Sequence, residues 1–121
     1  MLDDIDHVLL AMPKGEEDAA RAFYGNLLGL DEIEKPPNLR ARGGVWFVLG
    51  TKQLHLGVES NFTPAKKAHP AFRVHDLAHL RDKLIAAGFP VFNDEPLPGY
   101  DRFFSNDPFG NRLEFLKPRG R

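Results

Sequence analysis

The chain reads as an α+β protein: two βαβββ modules joined in one curved, mixed eight-stranded sheet, with the helices on its outer face. Three observations predict this. Short segments of alternating polarity, the period-2 pattern of strands, are interleaved with two stretches of helical periodicity. The order strand, helix, strand, strand, strand occurs twice. The two copies also superimpose by a constant shift. His55 follows Gly29 by 26 positions and Glu114 follows Gly88 by 26, so a shift of 59 lays Leu54 and Leu56 onto Leu113 and Phe115. A single unit of this kind has one apolar sheet face and an open edge, and two side by side would make one curved eight-stranded sheet.

The elements follow in order. In "IDHVLLAM", Ile5, His7 and Leu9 alternate with Asp6, Val8 and Leu10, which predicts a strand. In "PKGEEDAARAFYGNLLG", Ala20, Phe23, Tyr24, Leu27 and Leu28 form one apolar helical stripe. Its first turn is acidic, as the helix dipole favours, and Gly29 is placed to end it in the left-handed conformation. A strand near Asp31–Lys35 stops at Pro36–Pro37; "GGVWFVLG", a Gly50–Thr51 turn and "QLHLGV" then form a hairpin. The polar, proline-containing segment 59–68 reads as a linker between modules of about 1–58 and 69–118 within a single domain, 1–121. In the second module "HPAFRV" is a strand, and "HDLAHLRDKLIAAG" is a helix with Asp76 as its N-cap and Gly88 at its end. "FPVFND", "DRFFSN" and "RLEFL" are strands.

Bulk composition narrows the function classes. A chain of 121 residues buries roughly two thirds of its unfolded surface, enough for a core. With no cysteine there are no disulfides, thiolate metal sites or cysteine nucleophiles. A net charge of −1 with no basic block gives no nucleic-acid footprint. No apolar run approaches the ~20 residues of a membrane span. The acidic start (Asp3, Asp4, Asp6) is unlike a signal peptide. The expectation is a cytoplasmic protein without nucleic-acid or membrane partners.

Strand alternation then sorts side chains by face. His7, His55, His69 and Glu114 fall on the inner faces, at two strand positions each used twice. Three imidazoles and a carboxylate converging there would suit a divalent ion: zinc, iron, nickel, cobalt or manganese. His7, His69 and Glu114 alone would make a two-histidine, one-carboxylate face with open positions. His55 and Glu114 are the candidate catalytic residues, His55 as a fourth ligand or a proton acceptor. Trp46 pairs across its hairpin with His55, and Phe103 and Ser105 are expected beside Glu114. With Arg73 and Arg112, which could hold an anionic substrate by forked hydrogen bonds, they are the candidate substrate-binding residues. Arg40, Arg42 and Gly43–Gly44 sit on a loop that could cover the mouth. His75 and His79 lie on the polar side of the second helix. Asp107-Pro108-Phe109-Gly110-Asn111 is a turn, by its proline and glycine.

"DHVLLAM", "AARAFYGNLLGL", "HPAFRV" and above all "NDPFGNRLEFL" resemble the vicinal oxygen chelate superfamily: glyoxalase I, methylmalonyl-CoA epimerase, extradiol dioxygenases, fosfomycin-resistance and bleomycin-binding proteins. The resemblance spans nearly the whole chain. It implies paired βαβββ modules, often a homodimer, and a divalent metal held at the places of His7, His55, His69 and Glu114. It also implies a lyase, isomerase or dioxygenase acting on a small molecule with adjacent oxygens; the alternative is a non-catalytic binding protein of the bleomycin-resistance type. Glyoxalase I carries a glutamate and the epimerase a glutamine where this chain has His55, which argues against glyoxalase I activity itself.

Overall fold

The structure, a computed structural model, describes residues 1–120; Arg121, the last residue of the expected domain, lies outside the described residues. Among the described residues eight strands form, four to a sheet. The chain divides into two compact units, Met1–Pro64 and the remainder from Ala65.

In unit 1, β1 (His7–Met12) lies parallel to β4 (Lys52–Val58), and β3 (Val45–Leu49) and β2 (Glu32–Ile33) continue the sheet antiparallel, in the order β1-β4-β3-β2. Between β1 and β2 runs α1, an α-helical turn over Glu17–Ala20 that widens into a π-helix over Arg21–Leu27. The widening shows in the bond from the Leu28 N–H to the Phe23 carbonyl (2.9 Å), five residues back. Ala20, Phe23 and Tyr24 of its stripe are buried with Leu10, Met12, Val45, Phe47, Leu54 and Leu56, so the predicted helix face and sheet face make one core. Pro37–Arg42, expected as loop, is a 3₁₀ helix before β3. It joins β3 through Gly43–Gly44. Gly44 has φ +88°, and a Cβ there would lie 2.1 Å from the Leu56 carbonyl oxygen, so only glycine fits.

Unit 2 repeats the plan. β5 (Ala71–Arg73) is parallel to β8 (Arg112–Pro118), followed by β7 (Tyr100–Asn106) and β6 (Val91–Phe92), in the order β5-β8-β7-β6. α2 (Leu77–Ala86) packs on β6 and β8 through buried Leu80 and Leu84. Asp76 caps it as expected, its carboxylate accepting from the His79 N–H at 3.0 Å. Gly29 and Gly88 end the two helices with φ of +80° and +88°. Residues 65–68 of the expected linker run with unit 2, since the Arg112 N–H bonds the Ala65 carbonyl at 2.9 Å. Among the described residues no helix is long and apolar enough to cross a membrane.

Candidate functional site

The sequence-predicted site residues come together as two pairs, one in each unit. In unit 1, His7 opens β1 and His55 sits at the centre of β4. Their rings stack at 4.3 Å between centroids, and Trp46, directly opposite His55 in the ladder, stacks on its other side at 3.7 Å and 3°. His55 is thus sandwiched and only 4% exposed. Burial, then the neighbouring His7, pushes its pKa below the ordinary value of 6.5, so the ring is held neutral. Each ring has a partner on one edge. His7 Nδ1 lies 2.9 Å from the Asp6 carboxylate, and His55 Nε2 lies 2.8 Å from Gln53 Oε1. A carboxylate and an amide oxygen can only accept, so these nitrogens carry the protons. His7 Nε2 and His55 Nδ1 then hold the lone pairs.

In unit 2, His69 precedes β5 and Glu114 is the third residue of β8, 5% exposed. His69 Nδ1 donates to the Lys67 carbonyl at 2.7 Å, and His69 Nε2 lies 2.8 Å from Glu114 Oε1. With Nδ1 protonated, a neutral His69 would turn a lone pair towards a carboxylate. The contact therefore requires a positive charge at that edge, either a second ring proton or a metal cation. Glu114 Oε2 is taken by Arg102 at 3.2 Å. Arg112 lies over the Phe104 ring at 4.3 Å and pairs with Asp94 at 2.7 Å. The Nε–H groups of Arg102 and Arg112 are buried without an acceptor among the described residues. Arg73 ends β5 opposite Leu116 and is exposed.

The expectation that Phe103 and Ser105 flank Glu114 is corrected by the ladder. Phe104 stands opposite Glu114, while Phe103 pairs with Phe115 and Ser105 with Leu113 on the core face. The reason is loop parity. Two residues, Gly50 and Thr51, separate the paired Leu49 and Lys52 in the first hairpin; five, 107–111, separate Asn106 and Arg112 in the second. An even loop and an odd loop place the incoming strand one residue apart in register, and one residue exchanges its two faces. Arg102 and Phe104, which the sequence reasoning missed, therefore sit at the site, and the length of "DPFGN" was the signal for them.

That motif also positions the site. Asp107 is buried, and its carboxylate accepts from the Phe109 N–H (2.9 Å), the Asn111 N–H (2.9 Å) and Asn111 Nδ2 (3.0 Å). Asn111 Oδ1 in turn accepts from the Ala65 N–H at 3.0 Å, holding the segment that leads to His69 beside β8.

The duplicated βαβββ architecture, with His7 and His55 on β1 and β4 and His69 ahead of β5 beside Glu114 of β8, defines a class of paired-module α+β proteins. The chain belongs to the Glyoxalase/Bleomycin resistance protein/Dioxygenase superfamily, whose model matches residues 4–115. Among solved structures it is similar to a protein assigned to the glyoxalase family from Bacillus anthracis (48% identity, 98% of each chain, TM-score 0.93). It shares its fold with lactoylglutathione lyase from Agrobacterium tumefaciens (24% identity, 96% of this chain and 94% of that one, TM-score 0.73). The same holds for a genomically encoded fosfomycin resistance protein from Listeria monocytogenes (14% identity, 100% of this chain and 95% of that one, TM-score 0.75). A comparison with curated proteins gives no match.

Proposed function

We propose that the protein is a cytoplasmic, homodimeric, divalent-metal enzyme acting on a small molecule with adjacent oxygens. His7, His69 and Glu114 are its ligands, and His55 is a fourth ligand or a proton acceptor. The convergence of His69 Nε2 and Glu114 Oε1, 2.8 Å apart, carries this reading, because it brings two metal-ligand types to one point. The donor set fits a first-row divalent ion: neutral imidazole nitrogens whose other edges are oriented by Asp6, Gln53 and the Lys67 carbonyl, plus one carboxylate. Among the described residues no three such side chains are gathered as a cage; His7 stands with His55, and His69 with Glu114. Superfamily membership supports the same reading.

When bound, the ion would act as a Lewis acid on the substrate oxygens. The chain's own part lies with His55. Its buried ring, sandwiched between His7 and Trp46, stays neutral and rigid, and Nδ1 is the atom available to accept a proton. Gln53 fixes that tautomer through Nε2.

Elemental mass spectrometry on untagged, anaerobically purified protein tests the proposal. Near-stoichiometric metal is expected, and its loss in a His69→Ala, Glu114→Ala double variant. Equal metal content in the two would overturn it. A second reading is favoured by one observation: Arg102 already neutralises Glu114. On that reading the protein binds an organic ligand without metal, in the manner of the bleomycin-resistance branch. Failure to load any of the five ions, with an organic ligand retained, would select it.

A further inference from the structure

Unit 1 carries a cleft of about 300 Å³ on the His55 face of its sheet. Its floor is Leu9, Trp46 and Gly57, and its wall is Leu39, Arg42 and Lys35. Leu9 is opposite His55 in the β1–β4 ladder and Trp46 stacks on it, so the cleft runs alongside that ring. The volume is at the low end for small-molecule sites, and the mainly apolar lining with a few charged groups is their usual make-up.

The wall is anchored rather than loose. Glu17, at the start of α1, accepts from the Gly44 N–H at 2.9 Å, and the Lys35 ammonium donates to the Gly43 carbonyl. The absence of a side chain at Gly44 lets this connection lie against the Leu56 carbonyl. Three separate contacts thus fix the rim of one cleft, which is the arrangement of a preformed site.

Charge distinguishes the rim from an ordinary surface. Arg40, one turn away, is compensated by Glu34 at 3.2 Å. Arg42 has no carboxylate partner among the described residues, and Lys35 spends its ammonium on a neutral carbonyl. Against these two cations the lining holds one acid, Glu59. The net charge of the lining is positive over an apolar, aromatic floor.

We infer that this cleft binds a small organic anion: an apolar or aromatic body lying against Trp46 and Leu9, ending in a carboxylate held by Arg42 and Lys35. The inference rests on the reading of the protein as one that acts on a small molecule, and names the class of that molecule. It does not depend on the metal.

Trp46 is the one tryptophan in the chain, so its emission reports the cleft directly. The experiment titrates metal-free protein, in chelator, with 3-phenylpropionate and with its uncharged counterpart 3-phenylpropanol. A saturable emission change is expected with both, the anion binding about tenfold more tightly. Arg42→Gln should bring the anion down to the level of the alcohol and leave the alcohol unchanged. Arg40→Gln, which removes a charge already paired, should alter neither. No saturable response, equal affinity for anion and alcohol, or equal effects of the two arginine variants would each overturn the inference. The His69→Ala, Glu114→Ala variant separates this from the metal proposal. Anion binding should survive in that variant; a wild-type protein that binds the anion but takes up no metal refutes the metal reading alone, and a wild-type protein that loads metal but does not bind the anion refutes the cleft alone.

Discussion

Replacing Asp107 with alanine should cost the protein about 3 kcal/mol. The Asp107 carboxylate accepts three hydrogen bonds at 2.9, 2.9 and 3.0 Å, from the Phe109 and Asn111 N–H groups and from the Asn111 side chain. Hydrogen bonds to a charged group contribute about 1.5–3 kcal/mol each, and a buried donor left without a partner costs about 1–3 kcal/mol. Asp107 is 3% exposed and Asn111 1%, so water does not readily replace the lost acceptor. Against the sum stands the desolvation of the carboxylate itself, which alanine relieves, and the estimate settles near the value of two of the three bonds. With an unfolding entropy of about 2.1 cal/mol/K per residue over the chain, this corresponds to a fall in Tm of roughly 12 °C. Urea unfolding followed by circular dichroism measures it. Asp107→Asn, which keeps one acceptor oxygen, should lose about half as much. A loss below about 1 kcal/mol for the alanine variant would mean that the turn is held by its backbone alone, and would refute the assignment of this motif as the clamp of the second hairpin.

Other consequences can be measured alongside. Protonation of His55, stacked on Trp46, should quench the tryptophan, so an emission titration in chelator should show a midpoint below 6.5. His7→Asn should move that midpoint up, because the neighbouring imidazole helps to depress it, and Asp6→Asn should move it down. Because the folded state resists protonating His55, the same shift should make the fold lose stability as pH falls from 6.5 through the lower native value. Gly44→Ala, with its Cβ directed at the Leu56 carbonyl oxygen and a positive φ, should destabilise by more than about 2 kcal/mol in denaturant titrations. Arg102→Met should free one oxygen of Glu114 and tighten divalent-ion binding measured by calorimetry, whereas Glu114→Gln should weaken it strongly; weaker binding in the arginine variant would show that Arg102 supports the carboxylate instead of competing for it.

The sequence made the plan legible wherever a local rule had no competitor. Alternation identified Leu54, Leu56, Leu113 and Phe115 as core, and all four are buried. Asp76, Gly29 and Gly88 sit at helix ends because short polar side chains and positive φ are needed there. The strand faces also brought His7 together with His55, and His69 with Glu114. Legibility failed where a distant count mattered. A repeat of 59 residues holds along β4 and β8 but not across a five-residue turn that replaces one of two, which is why Phe104 rather than Phe103 and Ser105 stands beside Glu114. The π-helical widening of α1 and the 3₁₀ helix at Pro37–Arg42 have no signal in a pattern read at 3.6 residues per turn.

The bond from Ala65 to Asn111 joins residues 46 positions apart, and it orders the assembly of the protein in time. The segment ahead of His69 is synthesised well before the turn that holds its acceptor. The stacked histidines of the first unit draw on residues no later than 58, so they can reach their final places while the second unit is still being made. The His69–Glu114 pair cannot form until Glu114, 45 residues after His69, has been made, so the two halves of the candidate site assemble at different times.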